Sequence, residues 1–185
     1  MLYYRVVFRI KVYGAENIPQ SGGAVLCSNH LYFHDPLIYA SHFKRPLYFL
    51  AKKEMFEKPL FSWVLKKIHC VPVDRQKTDT NAYKKAVNIL KENKLLCIFA
   101  HGTRVKENES VAAKSGAVLF AIKGNVPVIP VAVKYNFKKL KNVIVNIGEP
   151  LNVADHTGGR LNSEALNSIT DLVMEKINNL YVAQQ

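Results

Sequence analysis

Apolar residues fall along this chain in two rhythms. Short unbroken runs alternate with stretches in which apolar positions recur every three to four residues. Ala24-Val25-Leu26-Cys27, residues 46–51, Leu95-Leu96-Cys97-Ile98-Phe99 and residues 126–133 are runs of the first kind. They predict strands buried on both faces, as in a parallel sheet. Residues 1–13 close on strict alternation, Phe8, Ile10 and Val12 against Arg9, Lys11 and Tyr13, which predicts a half-buried strand. Residues 69–75 and 141–148 complete the strand set.

The second rhythm predicts helices over residues 37–43, 52–67 (interrupted at Pro59), 78–93, 114–123 and 161–181. In the third of these, Ala82/Tyr83, Ala86/Val87 and Ile89/Leu90 form one face. In the last, Ala165/Leu166, Ile169, Leu172/Val173, Ile177 and Leu180 do the same. Strands alternating with helices predict an α/β fold with a mainly parallel central sheet flanked by helices. No repeat or linker breaks the pattern, so residues 1–185 read as a single domain.

Composition narrows the partners. Hydrophobic residues make up 49% of the 185, which excludes a disordered chain. The net charge of +12 favours an anionic partner: a phospholipid surface, nucleic acid, a phosphorylated substrate or an acidic carrier protein. Nucleic acid is set aside, because the lysines are scattered and no zinc, helix-turn-helix or RNA-recognition signature is present. Cys27, Cys70 and Cys97 each sit in an apolar run without Cys-x-x-Cys spacing. They read as reduced core thiols of a cytoplasmic protein. No signal peptide and no apolar run of about 18 residues is evident, so membrane contact is expected to be peripheral.

Two stretches leave the kind of contact open. The aromatics beside Arg5 suit either a strand with a basic outer face or a membrane interface. The lysines of residues 52–67 suit either a solvated face or a membrane or carrier-protein contact.

Candidate chemistry concentrates where the first strand run ends, at Asn29-His30-Leu31-Tyr32-Phe33-His34-Asp35-Pro36. Pro36 fits the first helical position, with Asp35 as N-cap. A loop leaving the C-terminal end of a strand is where open α/β sheets bind ligands. An imidazole oriented by a carboxylate can act as a general base. In a continuous helix His30 and Asp35 would lie about 500° apart, so a dyad needs a turn between them. The plain alternative is a capping Asp35 and a loop His30. A helical metal pair of His30 and His34 would require helix before the cap.

This stretch resembles the first motif of the glycerolipid acyltransferases, the lysophosphatidic acid acyltransferase group. The preceding Gly14-Ala15-Glu16-Asn17-Ile18-Pro19 resembles the family's usual entry to it. Further motifs follow in family order. His69 to Arg75 resembles the second, an apolar run closing with Asp-Arg, although His69 stands where the family has Gly. Ala100-His101-Gly102-Thr103-Arg104 resembles the third, normally Phe-Pro-Glu-Gly-Thr-Arg, with His101 in place of Glu and Ala100 in place of Pro. Lys114-Ser115-Gly116 resembles the Lys-x-Gly run after it. Residues 126–133 resemble the fourth, and Gly148-Glu149-Pro150 also matches. The resemblance spans roughly residues 8–150.

The resemblance implies a glycerol-phosphate acyltransferase-like fold. It implies acyl transfer from acyl-CoA or an acidic acyl carrier protein to 1-acyl-glycerol-3-phosphate, giving phosphatidic acid in phospholipid biosynthesis. On that model His30 is the base and Asp35 orients it. Arg75, His101, Gly102, Thr103 and Arg104 bind the lysophospholipid acceptor. No metal or cofactor is implied beyond the acyl donor. The implied location is the cytoplasmic face of the cell membrane, held peripherally on an anionic surface. Locally, Arg75 suits a surface pair with Asp74 or Asp79 equally well. Gly-Thr-Arg is also a common loop tripeptide, and residues 126–133 are either a structural strand or a wall for an acyl chain.

The change at His101 leaves two expectations: a protein weakened or inactivated there, or one adapted to a different lysolipid acceptor. An ordinary imidazole would change charge near neutral pH. A degenerate homologue acting as a peripheral membrane or acyl-carrier binding protein is the alternative to an enzyme.

Overall fold

A computed structural model describes residues 8–77, 79–105, 111–136, 142–157 and 161–183. Its strands are β1 (Arg9–Tyr13), β2 (Ala24–Ser28), β3 (Leu47–Lys52), β4 (Cys70–Val73), β5 (Leu95–Phe99), β6 (Val128–Asn136) and β7 (Asn142–Ile147). Its helices are α1 (Asp35–His42), α2 (Pro59–Lys67), α3 (Thr80–Lys91), α4 (Gly116–Gly124) and α5 (Ser163–Val182). The strands form one seven-stranded sheet in the order β1-β7-β6-β2-β5-β3-β4. Every pairing is parallel except β6 with β7. The expected mainly parallel α/β sheet is therefore present.

Strand alternation divides the core in two. Ala24, Leu26, Leu95 and Cys97 face one side, where Ile38 and Tyr39 of α1 and Leu65 of α2 cover them. Val25, Cys27 and Leu96 face the other, against Ala86 and Leu90 of α3, Ala117 and Ala121 of α4, and Ile169 and Val173 of α5. Being covered on both faces explains why these strands are continuous apolar runs. All three cysteines are buried and free. No helix among the described residues is long and apolar enough to cross a membrane.

Local structure departs from the simplest reading of the sequence at three points. Helix α1 begins at Asp35, so His34 occupies the N-cap and Asp35 the first turn. The Asp35 carboxylate turns back into the preceding loop rather than capping the helix. Pro130 lies inside β6, between β2 and β7, and not at a strand start or edge, where proline is usually found. The missing Pro N–H is tolerated there because the β7 ladder begins only at Val131, while Pro130 O accepts from Gly148 N at 2.8 Å. His69 adopts φ +58, the left-handed conformation that favours glycine. The aromatics beside Arg5 lie outside the described residues.

Candidate active site

Four neighbouring parallel strands, β2, β5, β3 and β4, end at the same edge of the sheet. His30 follows β2, residues 100–104 follow β5, Lys52 closes β3 and Arg75 follows β4. The topology thus gathers the first three motif loops. Backbone bonds fasten them together: Ala100 N donates to Ser28 O at 2.8 Å and Val105 N to His30 O at 2.9 Å. Asn29 anchors its loop to β6, with Nδ2 donating to Val133 O at 2.9 Å and Oδ1 accepting from Val133 N at 2.8 Å.

Asp35 is fully buried. Its Oδ2 accepts from His30 Nδ1 at 2.7 Å, Leu31 N at 2.8 Å and Tyr32 N at 3.0 Å. Its Oδ1 accepts from the Tyr135 hydroxyl. Two loop amides and a phenol therefore hold the carboxylate, and it holds the imidazole. The His30 ring also stacks on Phe99, centroids 3.9 Å apart. With Nδ1 engaged, Nε2 is the nitrogen left for proton transfer. Proximity to the carboxylate pushes the Tyr135 hydroxyl pKa up, as burial does more strongly, so it remains a donor.

The turn required of a dyad is present. His34 is elsewhere: its ring lies among Phe8, Tyr32 and Tyr135, centroids 5.3 to 5.6 Å away. Burial lowers its pKa, partly offset by Asp35. The two histidines do not share a helical turn, as a helical metal pair would.

Beside the dyad is a cavity of about 860 Å³. Its polar lining is His30, Lys52, Arg75, Gly102, Thr103, Arg104 and Lys114. No acidic side chain lines it among the described residues. Its apolar lining includes Phe49, Met55, Leu60, Phe61, Leu65, Ile68 and Phe99. Arg75 pairs with neither Asp74 nor Asp79. Its Nη1 donates to Gly102 O at 2.5 Å, while Asp74 takes Lys53 Nζ at 2.7 Å and Asp79 caps α3 through Ala82 N. Gly102 has φ +67, and a Cβ there would meet the Lys114 side chain at 3.4 Å. The positive φ, more than any lack of space, is what favours glycine in this loop.

His101 does not line the cavity. Its Nδ1 is buried without a hydrogen-bond partner, and burial lowers its pKa below the ordinary value. The charge change expected of an unperturbed histidine is thereby moved to lower pH. Residues 126–133 contribute no side chain to this cavity either. Cys70 and Cys97 do line it. Burial pushes the Cys70 thiol up to about 12 and Cys97 well upward, leaving both protonated.

Sequence reasoning missed Tyr135 and Asn29 as supports and Lys52 and Lys114 as further cations of the cavity. Tyr135 lies on β6, far along the chain from Asp35, and offers no local signal. Lys114 was visible only as part of the Lys-x-Gly resemblance.

Similarity to known proteins agrees with the architecture. A family model described as Acyltransferase matches residues 9–134. The 1-acyl-sn-glycerol-3-phosphate acyltransferase of Bacillus subtilis is 34% identical over 180 residues, covering 92% of this chain and 87% of that protein. The enzyme of the same name from Borreliella burgdorferi is 31% identical over 144 residues, covering 76% of this chain and 57% of that one. In fold, the chain is similar to the crystal structure of the 1-acyl-sn-glycerophosphate (LPA) acyltransferase PlsC from Thermotoga maritima. The TM-score is 0.68 at 22% identity, over 94% of this chain and 73% of that one. The order of the motifs, the sheet that gathers them and these similarities lead to one conclusion: the chain belongs to the acyltransferase family of the 1-acyl-sn-glycerol-3-phosphate acyltransferases.

Proposed function

We propose that this protein transfers an acyl group from acyl-CoA or acyl carrier protein to 1-acyl-glycerol-3-phosphate, giving phosphatidic acid. The observation that carries the reading is the partly exposed His30, held by buried Asp35, beside a cavity lined by both cationic and apolar side chains. A lysophosphatidic acid has the matching polarity, a phosphomonoester joined to an acyl chain. Arg75, Arg104 and Lys114 hold the phosphate through charge-assisted hydrogen bonds. Gly102 and Thr103 line the same region, and the acyl chain lies along the apolar residues.

His30 Nε2 takes the proton of the acceptor's free hydroxyl as its oxygen attacks the thioester carbonyl. The C–O bond forms, the C–S bond breaks, and the departing thiolate recovers a proton from the imidazolium. Asp35 fixes the ring and stabilises its cationic form. The cavity thiols are protonated, which supports direct transfer without an acyl-enzyme.

Purified protein assayed with both donor types against lysophosphatidic acid, glycerol-3-phosphate and a neutral lysolipid tests the reading. Lysophosphatidic acid is the expected acceptor, and His30→Ala should lose about 10²–10⁴ in rate. Preference for another acceptor would overturn the assignment, and a His30→Ala variant keeping half its turnover would remove His30 as base.

A further inference from the structure

We propose that α2 is a membrane-docking helix, and that it seats the mouth of the cavity on the surface of a bilayer containing anionic lipid. The inference rests on the lipid-acceptor reading above and adds the surface by which that acceptor is reached.

Helix α2 fully buries only Leu65. Its other large apolar side chains are turned outward: Leu60 is 73% exposed, Trp63 61% and Phe61 41%. Phe33, from the loop carrying the dyad, is 47% exposed and meets Phe61 edge to face, with centroids 5.9 Å apart. Leu60 and Trp63 lie one helical turn apart and Phe61 adjoins Phe33, so the four side chains are exposed in the same region of the surface. Folding in water alone does not account for it, since contiguous exposed apolar surface marks an interaction site.

Two further observations choose the occupant. Phe33, Leu60 and Phe61 are both exposed and part of the cavity lining, so the apolar cavity opens through the patch. An acyl chain leaving a bilayer would enter without crossing water. The patch is also bordered by cations. Lys58 precedes α2, Lys66 and Lys67 close it, and Lys67 Nζ lies 5.9 Å over the Trp63 ring. The helix itself carries no acidic residue. An aromatic and aliphatic face edged with lysines matches the interface of an anionic bilayer, where indole sits at headgroup level and ammonium groups meet phosphate.

Trp63 is the protein's only tryptophan, so its fluorescence reports on this helix alone. The whole chain is titrated with vesicles of phosphatidylcholine, with and without phosphatidylglycerol. Blue-shifted emission with phosphatidylglycerol and quenching by lipids brominated on their acyl chains are expected. Removing Lys66 or Lys67 (to Ala) should lower the partition constant roughly fivefold each, and added salt should do the same. Trp63→Ser, followed by vesicle sedimentation, should lose roughly tenfold or more of binding. It should keep its turnover of detergent-dispersed substrate.

An unchanged Trp63 spectrum with every vesicle would overturn the proposal. So would equal vesicle binding by Trp63→Ser, a spectral change seen only with an acidic carrier protein, or Trp63 already shielded in a dimer that ignores vesicles. Turnover of dispersed substrate without vesicle binding would reject the surface and leave the enzyme. Vesicle binding without turnover would do the opposite.

Discussion

Asp35→Asn separates what the carboxylate does for the fold from what it does for the rate. In the parent, Oδ2 accepts from three N–H groups, those of His30, Leu31 and Tyr32, while Oδ1 accepts from the Tyr135 hydroxyl. An asparagine oxygen can take the three N–H bonds. Its amide nitrogen then faces Tyr135, whose hydroxyl can reverse from donor to acceptor. Every buried group keeps a partner, so the melting temperature should stay close to the parent's. The counter-charge to the His30 imidazolium is lost. A hydrogen bond to a charged group contributes about 1.5–3 kcal/mol, which corresponds to roughly 10- to 100-fold in kcat. KM should move little, because Asp35 does not line the cavity. Asp35→Ala provides the contrast. It removes the acceptor shared by two loop amides, a phenol and an imidazole N–H, at about 1–3 kcal/mol for each bond lost, so that variant should be markedly destabilised. Steady-state kinetics on dispersed lysophosphatidic acid and thermal unfolding of both variants decide the matter. An Asn variant with full stability and kcat within twofold of the parent would refute a role for the pair in the rate-limiting chemistry. An Asn variant as unstable as the Ala variant would refute the reversed Tyr135 bond.

Tyr135→Phe keeps the ring contact with Tyr32 (centroids 4.5 Å apart) and removes one donor of four to Asp35, so it should lower stability by about 1.5–3 kcal/mol in denaturant titration; unchanged stability would discount that bond. Arg104→Ala and Arg75→Ala should raise the KM for lysophosphatidic acid roughly tenfold or more and the thioester KM far less, and equal effects would reject the phosphate assignment. Because burial lowers the pKa values of His101 and His34 below 6.5, protonation is harder in the folded chain than in the unfolded one. Their contribution to stability is complete above that value and declines as the pH falls from it towards the lowered folded values. His101→Gln should therefore show a smaller drop in melting temperature than the parent between about pH 7.5 and about pH 5.5, and an equal drop would contradict burial as the cause.

The sheet was legible because its strands are buried on both faces, which leaves apolar runs such as Leu95-Leu96-Cys97-Ile98-Phe99 with little else to become. The motif loops were legible because each follows such a run. What the residues could not reveal was set by distance along the chain. Tyr135 reaches Asp35 only after β6 has been laid beside β2, and Arg75 meets Gly102 only because β3 separates β4 from β5. The helix start was misplaced by one residue because Asp-Pro suits a cap, whereas the loop amides of Leu31 and Tyr32 compete for the same carboxylate. The outward turn of Leu60 and Trp63 was also hidden. Their spacing of three puts Leu60 and Trp63 on one helical face, but spacing does not say whether protein or solvent lies opposite.

The protonated thiols of the cavity bear on selectivity of another kind. Thioesters exchange readily with thiolates, and a cavity proposed to receive an acyl thioester is lined by two cysteines. Raising Cys70 from 9.0 to about 12 lowers its thiolate share a thousandfold, and Cys97 is driven the same way by the same burial. Both thiols are thereby kept poor nucleophiles towards a thioester. The apolar surroundings that would solvate an acyl chain also silence the side chains best able to capture it, so chemical inertness here comes from the packing of Phe49, Leu65 and Ile68 rather than from an absence of nucleophiles.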